Sequence, residues 1–320
     1  LLQSNPSVGI YSNAQSMTEQ GNITVGDNAI GLYSSKIGST VKLDTSGMIS
    51  VGENGTGIYK LGGTLQIDGT LKALGNNSVG AYVEGGMVTN NYTSLVIGSS
   101  AYGIVGTGTT SITNNSSNVT IGDNSVFIYS SDTGGTITNS ANLSSASNGV
   151  YGLYGSGTIV NNNTIDFSTG IGNVGIYVTN GLATNNSTIS VGSSNTSTNS
   201  YGIGMVSDSG SVARNSTAGT INVNGAKSIG MYATGAGSKV INDGVINLNT
   251  SQTTGMFIEN GAEGINNGLI TTTGTGTTQV TGVALKTGGI LTNNGTININ
   301  TDNGSGILNH TTTFAIYSLI

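Results

Sequence analysis

The chain has 320 residues, 53 of them Gly, with one Pro, one His, neither Cys nor Trp, and a net charge of −6. Eight Lys and Arg are too few to grip nucleic acid, which needs clustered cations. The absence of Cys removes disulfides, thiolate metal sites and thiol nucleophiles, and without about 18 consecutive apolar residues no membrane-crossing helix is expected.

The opening Leu1-Leu2-Gln3-Ser4-Asn5 has neither the basic start nor the long apolar stretch of a secretory signal. We therefore expect the chain to be a piece of something longer. From residue 9 a short motif recurs: a small residue, an aliphatic, then usually Tyr. It runs Gly9-Ile10-Tyr11, Gly31-Leu32-Tyr33, Gly57-Ile58-Tyr59, Gly80-Ala81-Tyr82, Gly103-Ile104-Val105 and Phe127-Ile128-Tyr129. It continues as Gly152-Leu153-Tyr154, Gly175-Ile176-Tyr177, Gly202-Ile203-Gly204, Gly230-Met231-Tyr232, Gly255-Met256-Phe257, Gly282-Val283-Ala284 and Gly306-Ile307-Leu308. The mean spacing is about 25 residues, the period of a stacked repeat architecture.

Two further apolar pieces lie between successive anchors. One follows a polar corner, as in Gly47-Met48-Ile49-Ser50-Val51, Asn185-Asn186-Ser187-Thr188-Ile189-Ser190-Val191 and Asn293-Asn294-Gly295-Thr296-Ile297-Asn298-Ile299. The other precedes the Asn pair, as in Gly135-Thr136-Ile137-Thr138-Asn139 and Lys239-Val240-Ile241. Within each piece apolar and polar residues alternate, which is the period of a strand. Three short strands per repeat predict an all-β chain: a right-handed parallel β-helix, or solenoid, of about 13 rungs over residues 1–320 as one segment.

In such a coil the aliphatic second position of the motif should point inward, and the Gly and Tyr on either side outward. The Asn pairs should sit at corners, stack into ladders and tolerate left-handed backbone there. The Tyr column should form a stripe interrupted at Val105, Gly204, Ala284 and Leu308. It either receives a partner or stacks on itself and stiffens the coil. As candidate partner-binding residues we take Tyr59, Tyr82, Tyr154 and Tyr177, with Arg214 in a long stretch that follows the insertion Asn195–Tyr201.

Catalysis on a β-helix would need paired carboxylates or a metal cluster. Asp44 and Asp68 lie one period apart, and we expect them to be corner variants of the Asn ladder. Glu259 and Glu263 are expected in a solvated loop. No calcium-binding Gly-Gly-x-Gly-x-Asp repeat occurs, and no cofactor is expected. The last stretch, from Thr313 to Ile320, leaves the period.

The Gly-Ile-Tyr anchors joined to Asn-Asn-Gly-Thr-Ile-Asn-Ile repeats resemble the passenger domains of the large fusobacterial type V autotransporter adhesins, over residues 8–310. The resemblance implies a secreted, monomeric, non-catalytic passenger segment on the bacterial outer-membrane surface. It implies attachment to a host cell-surface protein or glycan, or to partner bacteria, with the translocating barrel outside this chain. A β-helical polysaccharide hydrolase or lyase is the alternative. A further one is a structural stalk whose binding function lies elsewhere.

Overall fold

The computed structural model describes residues 6–310 and the backbone of residues 316–317. Most of the aperiodic end and the first five residues lie outside this range. Among the described residues there is no helix. Every strand pairing in the sheets is parallel, and the strands stack as a β-solenoid of about 13 turns. The chain divides into two compact units, residues 1–143 with 150–158, and residues 144–149 with 159–320.

In the first unit the motif strands are Val8–Ser12, Ile30–Ser34, Thr56–Leu61, Val79–Asn90, Tyr102–Asn114, Val126–Ser130 and the start of Tyr151–Asn161. They keep one register, with Leu32 over Ile58, then Ala81, Ile104, Ile128 and Leu153. A third strand in each coil, such as Met48–Val51 or Ser94–Ile97, closes the opposite wall. Leu32, Val41, Leu43, Ile49 and Val51 fill one coil and are all buried. Each such side chain contributes roughly 1.5–3 kcal/mol of hydrophobic stabilisation, repeated coil after coil.

The second unit repeats this plan with Ile203–Asp208, Ile229–Thr234, Thr254–Glu259, Thr281–Lys286 and Ser305–His310 as motif strands. Here the inward column is Met205, Met231, Met256, Val283 and Ile307. This register corrects the ninth copy of the motif. Ile176 pairs with Met205 and Tyr177 with Val206, so that copy is Gly204-Met205-Val206, not Gly202-Ile203-Gly204. The insertion is what hides the phase. Asn195 and Ser200 close an antiparallel bridge inside it, and either Gly that follows looks like an anchor.

Two other expectations change. The motif Gly does not face outward. A Cβ on Gly31 would lie 2.5 Å from the Ile49 Cγ2 in the core and 2.6 Å from the Gly57 carbonyl oxygen. Glycine is kept there by lack of room, and its backbone does not adopt positive φ. Nor are the Asn pairs left-handed. Positive φ falls at other corners: one after the motif strand, as at Gly63, Asn260 and Thr287, and one three residues before the first motif position, at Asn28, Asn54, Asn77, Ser100 and Asn124 in the first unit. In the second unit this latter corner is at Gly172, Lys227, Gln252, Gln279 and Asn303. Asn is common at this corner because its short polar side chain tolerates that conformation.

The Asn pairs do form ladders, and each pair splits between two of them. The first Asn points inward and is buried. Its Nδ2 donates to Oδ1 of the next coil, as in Asn90 to Asn114 (3.0 Å) and Asn161 to Asn185 (2.9 Å), and the same ladder runs on through Asn215 to Asn242 (2.9 Å), where Ser or Asp takes the second place. The second Asn stays at the surface and donates the other way, as in Asn115 to Asn91 (3.0 Å) and Asn294 to Asn267 (2.9 Å).

Candidate functional site

The ring position of the motif faces outward, and two further positions lie beside it, the later one by strand alternation and the earlier one because the crowded motif Gly breaks the alternation. One lies three residues earlier in the chain, the other two residues later. In the first unit the rings pack on one another. Tyr11, Tyr33, Tyr59 and Tyr82 follow at centroid distances of 5.6, 5.2 and 5.1 Å. Beyond Val105 a second stack joins Tyr102, Tyr129 and Tyr154, with Tyr151 beside Tyr154 at 5.6 Å. Edge-to-face and offset pairs of this kind add about 0.5–1.5 kcal/mol each beyond area burial.

The hydroxyls are held as well, by the position two residues past the ring in the following coil. Ser35 donates to the Tyr11 hydroxyl at 2.9 Å, and Tyr59 donates to Glu84. In the second unit Tyr177 donates to Asp208 at 2.9 Å and Tyr232 to Glu259 at 2.6 Å. Burial, followed by the Glu259 hydrogen bond, pushes the Tyr232 hydroxyl up to about 12. Burial, followed by the Glu84 hydrogen bond, raises Tyr59 further. Sequence reasoning missed these acids. Their signal was an Asp or Glu two residues past the ring position, one coil above a Tyr.

The sequence-predicted residues are thus distributed as follows. Tyr59 is only 8% exposed, packed between rings and tied by its hydroxyl. Tyr82 caps one stack, and Tyr154 belongs to the next. Tyr177 lies in the other unit, anchored to Asp208. Arg214 is exposed on a different wall of the coil, and its Nε donates to Asp243 at 2.5 Å. The stretch before Arg214 is a short turn at Ser209-Gly210 between two regular strands.

Asp44 and Asp68 are neighbours, as their spacing predicted, and Lys42 bridges them at 2.8 and 3.2 Å. The Lys42 hydrogen bond holds Asp44 below the usual carboxylate range. For Asp68, burial pushes upward, but hydrogen bonds from Asn91, Lys42 and Gln66 outweigh it and the net shift is downward. Both carboxylates are therefore ionised acceptors at neutral pH and not proton donors. Glu259 and Glu263 are not in a solvated loop. They end one strand and begin the next, and Glu263 pairs with Lys239 at 2.8 Å. Among the described residues no group of three His, Asp or Glu is placed to hold a metal ion.

Where the stripe lacks a large ring, the second unit opens. A hollow of about 240 Å³ is bounded by Tyr201, Ile203, Ile229, Tyr232 and Phe257, with Glu259 and Lys286 also lining it. Beside Ala284, a larger hollow of about 760 Å³ is lined by Phe257, Ala284, Leu285, Leu308, Thr254, Thr281, Thr287, Lys286 and His310. Phe257 and Lys286 line both, so the two hollows adjoin, together making up the groove beside the Tyr232–Phe257 ring pair, whose centroids are 5.8 Å apart. Tyr201, contributed by the insertion, walls one end. The sequence flagged the insertion and the stripe gaps separately, without showing that they meet.

The fold and the outward face together define a repeat protein, a parallel β-solenoid with stacked outward rings. Residues 4–263 match the family model described as the BigA third pectate lyase-like domain, and the chain belongs to that family. The match supports an adhesin or autotransporter-passenger kind of protein and does not single out the fusobacterial group. No curated protein and no solved structure matches the chain.

Proposed function

We propose that this chain is a passenger segment of a bacterial surface adhesin that attaches to host cells or to other bacteria and carries out no chemistry. The observation that carries the reading is the groove of the second unit, open on the same outward face that the rings occupy. The family membership supports it. The polysaccharide hydrolase or lyase reading is weakened at the one acid pair the sequence offered it, because Lys42 bridges Asp44 and Asp68 and both carboxyls stay ionised, so neither serves as a proton donor.

The stalk reading has an observation of its own in the first unit. There the rings cover one another and the Tyr59 hydroxyl is engaged. We therefore assign Tyr59, Tyr82 and Tyr154 chiefly to stiffening, and contact with a partner to the groove of the second unit. The test is binding of the purified 320-residue chain to epithelial cells and to co-aggregating bacteria. Saturable binding to either is expected. A chain with an intact β-sheet circular dichroism spectrum that binds neither would leave the stalk reading in its place.

A further inference from the structure

The position two residues past the ring changes sign along the second unit. Where the coil before it supplies a Tyr hydroxyl, an acid receives that hydroxyl: Asp208 above Tyr177 and Glu259 above Tyr232. The next two stripe residues, Phe257 and Ala284, have no hydroxyl. Above them the same position carries Lys286 and His310. His310 is the only His of a chain with eight Lys and Arg.

Lys286 and His310 are register partners on adjacent strands, about 4.8 Å apart in backbone spacing. Both are exposed, and among the described residues neither side chain forms an ion pair or a hydrogen bond. Both border the larger hollow, and no Asp or Glu lines it. Glu259, the one acid of the adjoining hollow, already accepts the Tyr232 hydroxyl. In a chain of net charge −6, the larger hollow thus presents a local pair of basic side chains beside an apolar floor.

Charge complementarity to that pair calls for an anion, and the floor calls for an anion with an apolar face. A peptide added along a sheet edge is disfavoured. Thr254–Glu259 and Thr281–Lys286 are each paired on both sides, so their main chain has no free ladder to offer. Recognition falls to side chains: a ring surface at Phe257, hydroxyls at Thr254, Thr281 and Thr287, and the two basic groups. The volume lies within the usual range for small-ligand sites, about 300–1,000 Å³.

We infer that this groove takes an acidic saccharide, its carboxylate held by Lys286 and His310 and the apolar face of its ring laid on Phe257. The inference rests on reading this face as the adhesin's binding surface.

The test is calorimetric titration of the 320-residue chain with sialyllactose, trigalacturonate and lactose, run beside the cell-binding assay. At least one acidic sugar should bind saturably and at least tenfold tighter than lactose. The double change Lys286→Gln with His310→Gln should weaken it at least tenfold. Both side chains are exposed, so the fold should survive, with an unchanged β-sheet circular dichroism spectrum as the check. Phe257→Leu, which keeps an apolar side chain but removes the ring, should also weaken it severalfold. Preference for sialyllactose would point to the termini of host glycoproteins, and preference for trigalacturonate to polyuronates. No binding of either acid, equal binding of lactose, or indifference to the double change overturns the inference. Cell binding without acidic-sugar binding sinks this inference and leaves the adhesin reading standing. Acidic-sugar binding without cell binding does the reverse.

Discussion

Gly230 shows how tightly a single residue is specified. Its φ is not positive, so alanine would meet no backbone penalty there. The obstacle is space. A Cβ would sit 2.6 Å from the Gly255 carbonyl oxygen and 2.8 Å from the Ile246 Cγ2. The same slot is crowded at Gly57, Gly80, Gly204 and Gly255. Its one bulky occupant is Phe127, fully buried, in the coil whose third strand shrinks to Leu143–Ser144. Overpacking a close-packed core costs about 1–3 kcal/mol. Gly230→Ala should therefore lower the unfolding free energy by about 2 kcal/mol, read as a drop in urea midpoint. Gly26→Ala is the control, because its Cβ would meet nothing within 4 Å. It should be neutral or slightly stabilising, since it also restricts the unfolded chain. If the two substitutions destabilise equally, steric exclusion is not why glycine is kept.

At the scale of elements, the paired ladders are what tie one coil to the next at the Asn corner. The buried ladder donates toward the C-terminus and the exposed one toward the N-terminus, so their amide dipoles oppose each other. A one-way ladder must leave an acceptor unused where it begins. That happens at Asn90, whose buried Oδ1 has no partner and whose neighbour one coil earlier is Ile67. Asn215 sits mid-ladder, accepting from Asn185 and donating to Asn242, both at 2.9 Å. Asn215→Leu leaves the Asn242 Oδ1 without that donor and should destabilise by about 2 kcal/mol. Asn186→Ala removes an exposed rung bonded to Asn162 and should stay within about 0.5 kcal/mol. Equal effects in chemical denaturation would mean that burial does not set the value of a rung. The sequence made the ladders legible because Asn recurs in pairs with one period. It could not separate the two members of a pair, since only the strand's in–out phase decides which is buried. The same kind of phase ambiguity hid Gly204 behind Gly202. The Tyr–acid anchors stayed hidden because the two partners are a full coil apart, and only the register brings Tyr232 to Glu259.

At the scale of the whole molecule, a chain with 14 acids and eight Lys and Arg uses many of its charges as fixed anchors, and this sets how its stability responds to pH. On the acid side, Asp44 and Asp68 have lowered pKa values through Lys42 and neighbouring amides. Groups held lower in the folded state contribute stability above the ordinary carboxylate range and lose it as pH falls through their folded values. On the alkaline side, burial raises Tyr59, Tyr92, Tyr151 and Tyr232, and Tyr232 reaches about 12. The unfolded chain loses these protons near pH 10, before the folded one does, so stability should fall from about pH 10 upward. Lys42, raised by Asp44 and Asp68, acts in the same direction. Lys60 opposes it. Its buried ammonium donates to the carbonyls of Lys36, Leu61 and Gly62, and burial lowers its pKa. That makes folding more favourable as pH rises toward its ordinary value of 10.5. Four Tyr and one Lys outnumber one Lys, so the net expectation is a plateau from about pH 5 to 9 and a decline beyond pH 10. Urea midpoints across that range test it. In a variant carrying Tyr92→Phe and Tyr232→Phe the alkaline decline should be shallower, with the acid limb unchanged. A parent whose midpoint holds flat to pH 12, or a variant whose alkaline slope matches the parent's, would show that the buried hydroxyls do not govern it.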